Sequence, residues 1–148
     1  VAIMSGYFFR NIKLSFIVLL ISMLLVDVFI GFYKHMLFVY LSLFLITFVF
    51  FKISDKINFK NLFVFGFLGS LIFYLVSNFG VWASGVPSPI TNLPYEKNLN
   101  GLISCYLLAI PFFKNTLFST IIFSYAAFLA NLFYVKMEQK KIVGKSFK

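Results

Sequence analysis

Long apolar runs separated by short charged clusters most restrict what this chain can fold into. About 20 residues of helix are needed to cross the ~30 Å hydrocarbon core of a bilayer, and several of these runs approach that length. A backbone in hydrocarbon must satisfy its own amide and carbonyl groups, and a helix does this within one segment. The sequence therefore predicts an all-α integral membrane protein.

The runs predict a polytopic bundle of about six transmembrane helices, forming one domain over residues 1–148. The first run, residues 1–9, is only half a span, and we expect it to continue a helix from a missing N-terminal segment. The other runs are residues 14–33, 36–51, 62–79, 99–113 and 117–135. The short break after residue 33 predicts an antiparallel hairpin. A second tight turn is expected at Lys114 and Asn115.

Three segments between or after these runs have a different character. Residues 52–60 contain three lysines and one aspartate and are expected to form a solvated loop. Residues 80–98 contain three prolines and two glycines, which forbid a continuous helix, yet they are too apolar for an ordinary aqueous loop. Residues 136–148 form a basic tail, expected to be a frayed helix end at the membrane surface.

Composition excludes several classes of protein. The chain is 61% hydrophobic and only 11% charged, far more apolar than a soluble domain. Its net charge of +9 is better explained by lipid headgroups than by nucleic acid, because the basic residues flank the apolar runs. These residues divide almost evenly between the two sides, so they do not predict an orientation. A single cysteine, Cys105, allows no internal disulfide.

Asp27 is the only acidic residue inside a predicted span. An ionisable group in hydrocarbon usually faces a partner or a water-filled cavity, which suggests a polar site inside the bundle. The alternative is that Asp27 lies close enough to the helix end to reach headgroup water. An Asn or Tyr side chain is its expected partner, since no Lys or Arg shares the span.

Other polar residues near the apolar runs are candidates for a binding pocket. Asn78 and Trp82 lie where the fourth span meets the proline-rich segment, and broken helices can line transporter sites. Trp82 could equally be an interfacial anchor, and Asn78 an ordinary helix cap. Tyr106 would place a hydroxyl in mid-span, where it needs a hydrogen-bond partner. Asn115 could either cap the last helix or contact a ligand.

We do not expect an enzyme, a metal site or a bound cofactor. Ser84 follows Ala83 and precedes Gly85, a superficial likeness to an intramembrane serine protease, but the only histidine, His35, lies at a hairpin turn. One His, one Cys and one intramembrane Asp make no convincing set of metal ligands. No glycine-rich phosphate-binding motif for ATP is present.

Several sequence segments resemble a family of small bacterial membrane proteins similar to the substrate-binding (S) components of energy-coupling-factor transporters. The segments with this resemblance are VAIM (1–4), VDVFIGF (26–32), NFGVW (78–82), YEKNL (95–99), GLISCY (101–106) and IPFFKNTL (110–117). Together they extend over nearly the whole chain. The resemblance implies a six-helix bundle in the bacterial cytoplasmic membrane that captures a vitamin-like micronutrient.

The resemblance also implies partners, namely a transmembrane coupling subunit and a pair of ATPases. S components often dock through small residues on their first helix, and here Ala2 and Gly6 are four residues apart and share a helix face. The leading hypothesis is a substrate-capture subunit. Its pocket residues would be Asn78, Trp82, Tyr106 and Asn115, supported by Asp27. The alternative is a structural or assembly bundle, which should have a solid interior without convergent polar groups.

Overall fold

The computed structural model describes residues 2–9 and 11–146, and within these ranges the chain is all-α. The surroundings of side chains 5–7 and 140–146 fall outside this description. The described residues form five α-helices: α1 (Ala2–Phe9), α2 (Ile12–Ile30), α3 (Met36–Lys52), α4 (Leu62–Ala83) and α5 (Leu99–Ser146). A short 3-10 helix, Ser54–Lys56, lies in the predicted loop between α3 and α4.

Three of these helices are long and apolar enough to cross a membrane. They are α2, α4 and the stretch Leu99–Gln139 of α5, whose most apolar windows have mean hydropathies of 2.4, 1.9 and 1.6. The helix α3 is apolar but slightly shorter. Large apolar side chains cover the outside of the bundle, such as Phe29 at 89% exposed and Leu37 at 75% exposed. This outer surface suits a hydrocarbon environment.

The predicted turn at Lys114 and Asn115 is wrong. The two spans expected on either side of it are one continuous helix, α5, and the described residues therefore contain five helices where about six were expected. Neither residue breaks a helix by itself, because Lys is a good helix former and Asn lacks the backbone restriction of proline. Pro111 lies inside α5, and its fixed φ is compatible with a helix although it removes one backbone donor.

The expected hairpin of the second and third spans is confirmed. Asn11 caps the start of α2, and its side-chain oxygen accepts hydrogen bonds from the backbone amides of Lys13 and Leu14. Gly31 caps the other end, and its φ of +99° is a conformation that other residues rarely adopt. The helix α3 starts five residues later and packs against α2.

The helices α4 and α5 form an antiparallel pair along the whole of α4. Near the start of α4, the Tyr125 hydroxyl of α5 donates to the backbone oxygen of Phe59 at 3.1 Å. Further along, the Tyr74 hydroxyl donates to the Tyr106 oxygen at 2.6 Å, and the Tyr106 hydroxyl to the Leu75 oxygen at 2.7 Å. These bonds fix the register of the two helices.

The short helix α1 lies in the core, mainly against α3 and α2. Its residues Ala2, Ile3 and Met4 are buried. The small residues of α4 let its neighbours approach: a Cβ atom at Gly69 would lie 2.8 Å from the Ile3 side chain, and one at Gly66 would lie 3.2 Å from the Ile121 side chain.

The proline-rich segment interrupts the helices between Ala83 and Leu99, as expected. Pro87 and Pro94 form an isolated antiparallel bridge, and the backbone amide of Ser88 donates to the Leu93 oxygen at 2.8 Å inside it. The segment is therefore a folded turn that caps the end of the α4–α5 pair.

Gly80 of α4 lies close to Phe38 of α3. It is buried, and a Cβ atom there would overlap the Cβ atom of Phe38. Because that atom is next to the backbone, rotation of the ring cannot relieve the overlap. We expect Gly80→Ala to lower the free energy of unfolding in mixed detergent micelles by about 1–3 kcal/mol. Gly66→Ala is the control, since its nearest contact would be the movable side chain of Ile121 at 3.2 Å and the Ile121 Cα atom lies at an ordinary 3.8 Å. An equal loss in both variants would contradict the close approach at Gly80.

Candidate functional site

A large cavity lies between the helices, with a volume of about 700 Å³. Residues from all five helices line it, including Ile3 of α1, Val18 of α2, Ile46 of α3, Ser70 of α4 and Thr120 of α5. Most of these side chains are apolar, and the described lining residues include no charged side chain. A concave, mainly apolar space with a few polar groups is typical of small-molecule sites, and its volume falls within their usual range.

The polar part of this cavity is concentrated on α5. Hydroxyl groups line it at Thr116, Ser119, Thr120 and Ser124. Spacings of three, four and eight residues place them on one face of the helix. Ser124 is buried, and the Ser119 hydroxyl donates to the Thr116 backbone oxygen at 3.0 Å. One face of α5 therefore gives the cavity a hydroxyl-bearing edge.

Ser70 of α4 supplies a further hydroxyl, and this one lacks a partner. Its side chain is only 1% exposed, and its Oγ atom has no hydrogen-bond partner among the described residues. Ser77, two helical turns further along α4, shows the usual solution: its hydroxyl donates to the Phe73 oxygen at 2.6 Å. A buried polar group without a partner is unfavourable, so Ser70 retains an unused capacity to bond a ligand.

A second, smaller cavity of about 160 Å³ lies beside the large one. Asn78, His35 and Ser77 line it, and Phe73 and Thr116 line both cavities. The Asn78 side-chain amide donates to the Tyr74 oxygen at 2.8 Å, which leaves its carbonyl oxygen for other contacts. Asn78 is thus the one predicted pocket residue that lines either of these two cavities.

His35 lies in the turn between α2 and α3, outside the apolar helices. Its Nδ1 atom is buried and has no partner among the described residues, and its ring packs on Tyr33 with centroids 4.8 Å apart. Burial lowers the pKa of the imidazole below its ordinary value of 6.5, so the ring is neutral at pH 7. The small cavity is therefore polar but uncharged at its His35 end.

Trp82 anchors the proline-rich segment. Its ring nitrogen donates to the Glu96 backbone oxygen at 2.8 Å, and the Lys97 ammonium lies 4.9 Å above its ring. The same ammonium donates to the backbone oxygens of Trp82 and Ala83 at the end of α4. Neither Trp82 nor residues 84–98 line the two cavities.

Tyr106 and Asn115 also lie away from both cavities. The Tyr106 hydroxyl is used in the α4–α5 contact described above. Asn115 is exposed in the middle of α5, where it caps no helix. Its neighbour Thr116 is the residue that faces the cavities. The five predicted pocket residues therefore do not converge on one site, and their roles in binding stay predictions.

Asp27 is 2% exposed and lies between α2 and α3. The Tyr40 hydroxyl donates to the Asp27 Oδ2 atom at 2.6 Å, so the partner of Asp27 is a tyrosine, one of the two expected residue types. The pair joins the two helices of the hairpin and does not line either cavity. Its position favours a structural role.

The two residues predicted to dock a partner both lie in α1. Ala2 is 6% exposed, and its backbone oxygen accepts from the Thr47 hydroxyl of α3 at 3.4 Å. Ala2 thus packs inside the bundle, whereas the surroundings of Gly6 lie outside the described residues. Docking through this pair stays a prediction.

The residues predicted from the sequence to bind a ligand do not include the hydroxyl edge of α5 or Ser70. The helical spacing of Thr116, Ser119, Thr120 and Ser124 already predicts that these hydroxyls share one face of a helix. The expected turn at Lys114 and Asn115 instead made Asn115 the candidate residue in this region. Three or more His, Cys, Asp or Glu side chains do not come together anywhere in the described part of the chain.

The Asp27–Tyr40 bond provides a direct test of the hairpin. We expect Tyr40→Phe to lower the free energy of unfolding by about 1–3 kcal/mol, because it leaves a buried carboxyl without its donor. Tyr134→Phe is the matched control, since that hydroxyl bonds the exposed Glu138 at 3.1 Å and should contribute little. Equal effects of the two variants on reversible unfolding in detergent would rule out a buried bond at Asp27.

Comparison with known protein families gives a match over nearly the whole chain. No curated protein and no solved structure matches the chain. Residues 1–142, nearly all of the sequence, match a family described as a family of unknown function, DUF6580. The all-α architecture with its long apolar helices is compatible with that match. The chain belongs to the DUF6580 family.

Proposed function

We propose that this is a multi-pass membrane protein that binds a small molecule in the large cavity between its helices. The observation that carries the proposal is the cavity of about 700 Å³, with apolar walls and a hydroxyl-bearing edge. A bundle that served only as a scaffold would gain stability from a filled interior, since voids between helices forfeit packing contacts. The hollow therefore favours binding over the structural or assembly alternative.

Substrate capture for import is the role we assign to this binding. It is supported by the sequence resemblance to S components of energy-coupling-factor transporters, which capture vitamin-like micronutrients in a membrane helix bundle. The chain carries no ATP-binding motif of its own, so a coupling subunit and a pair of ATPases would supply the energy. We propose that the substrate lies against Ser70 and the hydroxyl edge of α5. Asn78 would contact it from the adjoining small cavity.

A cavity-filling substitution tests this role. Thr120→Trp places a large ring in the cavity, whereas Ile122→Trp places the same ring on the outer face of α5, where Ile122 is 62% exposed. The purified protein would be titrated with a panel of vitamins and nucleobase-like compounds. We expect at least one compound to bind the parent and Ile122→Trp alike, and to bind Thr120→Trp at least about tenfold more weakly.

Either of two results would overturn the proposal. Equal binding to all three proteins would place the ligand outside the cavity. If no compound binds the parent, the proposal that the protein captures vitamin-like compounds is wrong. Thermal unfolding of both Trp variants, compared with the parent, would show whether each is folded.

A further inference from the structure

Among the described residues, the walls of the large cavity provide no counter-charge for a charged ligand. Its described lining residues include no Asp, Glu, Lys, Arg or His. A carboxylate, phosphate or ammonium group moved from water into such surroundings loses its hydration and gains no ion pair. A ligand that occupies this space should therefore be uncharged.

The same walls do provide for a hydroxyl or carbonyl group at one edge. Ser70 and the α5 hydroxyls of Thr120 and Ser124 line the cavity. Each serine or threonine hydroxyl can donate one hydrogen bond and accept others. Because the Oγ atom of Ser70 has no partner among the described residues, a ligand hydroxyl would satisfy a group that is otherwise left unpaired.

The cavity lies at a gap between two apolar helices. Val18 of α2 and Phe123 of α5 both line it, yet no Cα atom of α2 lies within 8 Å of one in α5 among the described residues. Phe123 is 70% exposed, and Phe8 of α1, which also lines the cavity, is 39% exposed. The gap therefore faces the zone that lipid chains would occupy around α2 and α5.

From these three features we infer that the cavity takes an uncharged amphiphile directly from the bilayer, with an apolar body against the phenylalanines and one hydroxyl or carbonyl group at Ser70. This inference rests on the proposed function, that the cavity binds a small molecule, and it specifies the class of that molecule. A neutral amphiphile partitions into lipid, so the lateral gap between α2 and α5 provides its route into the bundle.

Farnesol and farnesyl phosphate form a suitable pair of probes, since they share one isoprenoid chain and differ in the charge of the head group. Each would be titrated into the full protein in lipid nanodiscs, with empty nanodiscs as the blank. We expect farnesol to bind at least about tenfold more tightly than farnesyl phosphate, because only the phosphate must lose its hydration without an ion pair.

Two serine variants test the polar contact. Ser70→Ala should weaken the binding of farnesol by about threefold to tenfold, the range for loss of one neutral hydrogen bond. Ser22→Ala is the matched control, because the Ser22 hydroxyl donates to the Val18 oxygen of its own helix at 2.7 Å and does not line the cavity. Equal affinities of the two variants for farnesol would overturn the contact with Ser70.

The remaining outcomes separate this inference from the proposed function. If farnesyl phosphate binds as tightly as farnesol, the uncharged head group is wrong, and if only a water-soluble compound of the vitamin panel binds, the amphiphile is wrong. In either case binding in the cavity stands as long as Thr120→Trp weakens it. If no compound of either set binds the parent protein, both proposals are overturned.

Discussion

The antiparallel contact of α4 and α5 is the interaction on which the rest of the structure depends. Tyrosine hydroxyls on either helix donate to backbone oxygens on or next to the other, at Phe59, Leu75 and Tyr106. Each such bond between helices in a membrane contributes only about 0.6–2 kcal/mol, but three of them spread along the pair fix its register. That register brings the hydroxyl face of α5 to the same cavity as Ser70.

The cavity persists because the remaining helices cannot fill the space beside this pair. Buried side chains of α1 pack against α3 and α4. In the described part of the chain α2 contacts α1 and α3 but not α5. Apolar side chains would close such a gap in water, where exposed hydrocarbon is unfavourable. In lipid that driving force is absent, so the gap between α2 and α5 can stay open. The proposed membrane environment and the hollow thus support each other.

Much of this arrangement could be predicted from the sequence. The existence of the α2–α3 hairpin, the break within residues 80–98 and the close contacts at Gly66 and Gly69 follow from apolar periodicity, proline and small residues. The continuity of α5 could not be predicted in the same way. A charged residue such as Lys114 in an apolar run suggests a loop, but nothing in its backbone chemistry prevents a helix.

The candidate site was harder to predict than the fold. The sequence predicts Trp82 from its position beside the helix break and Tyr106 from its mid-span hydroxyl. The Trp82 ring nitrogen and the Tyr106 hydroxyl each donate to a nearby backbone oxygen, at Glu96 and Leu75 respectively. A side chain whose polar atom is already hydrogen-bonded within the protein has few donors or acceptors left for a ligand. Ser70 was overlooked because a serine in a helix ordinarily bonds its own backbone, and only the packing shows that this one does not.

The continuity of α5 is the central structural claim, since a turn at Lys114 would remove the hydroxyl edge from the cavity. Spin labels at Ile103→Cys and Leu129→Cys, which replace residues 47% and 52% exposed, would measure it by double electron–electron resonance in a Cys105→Ser background. At about 1.5 Å per residue, a single helix gives a distance of roughly 30–40 Å, including some bending at Pro111. A distance below about 20 Å would show two antiparallel helices and contradict the structure.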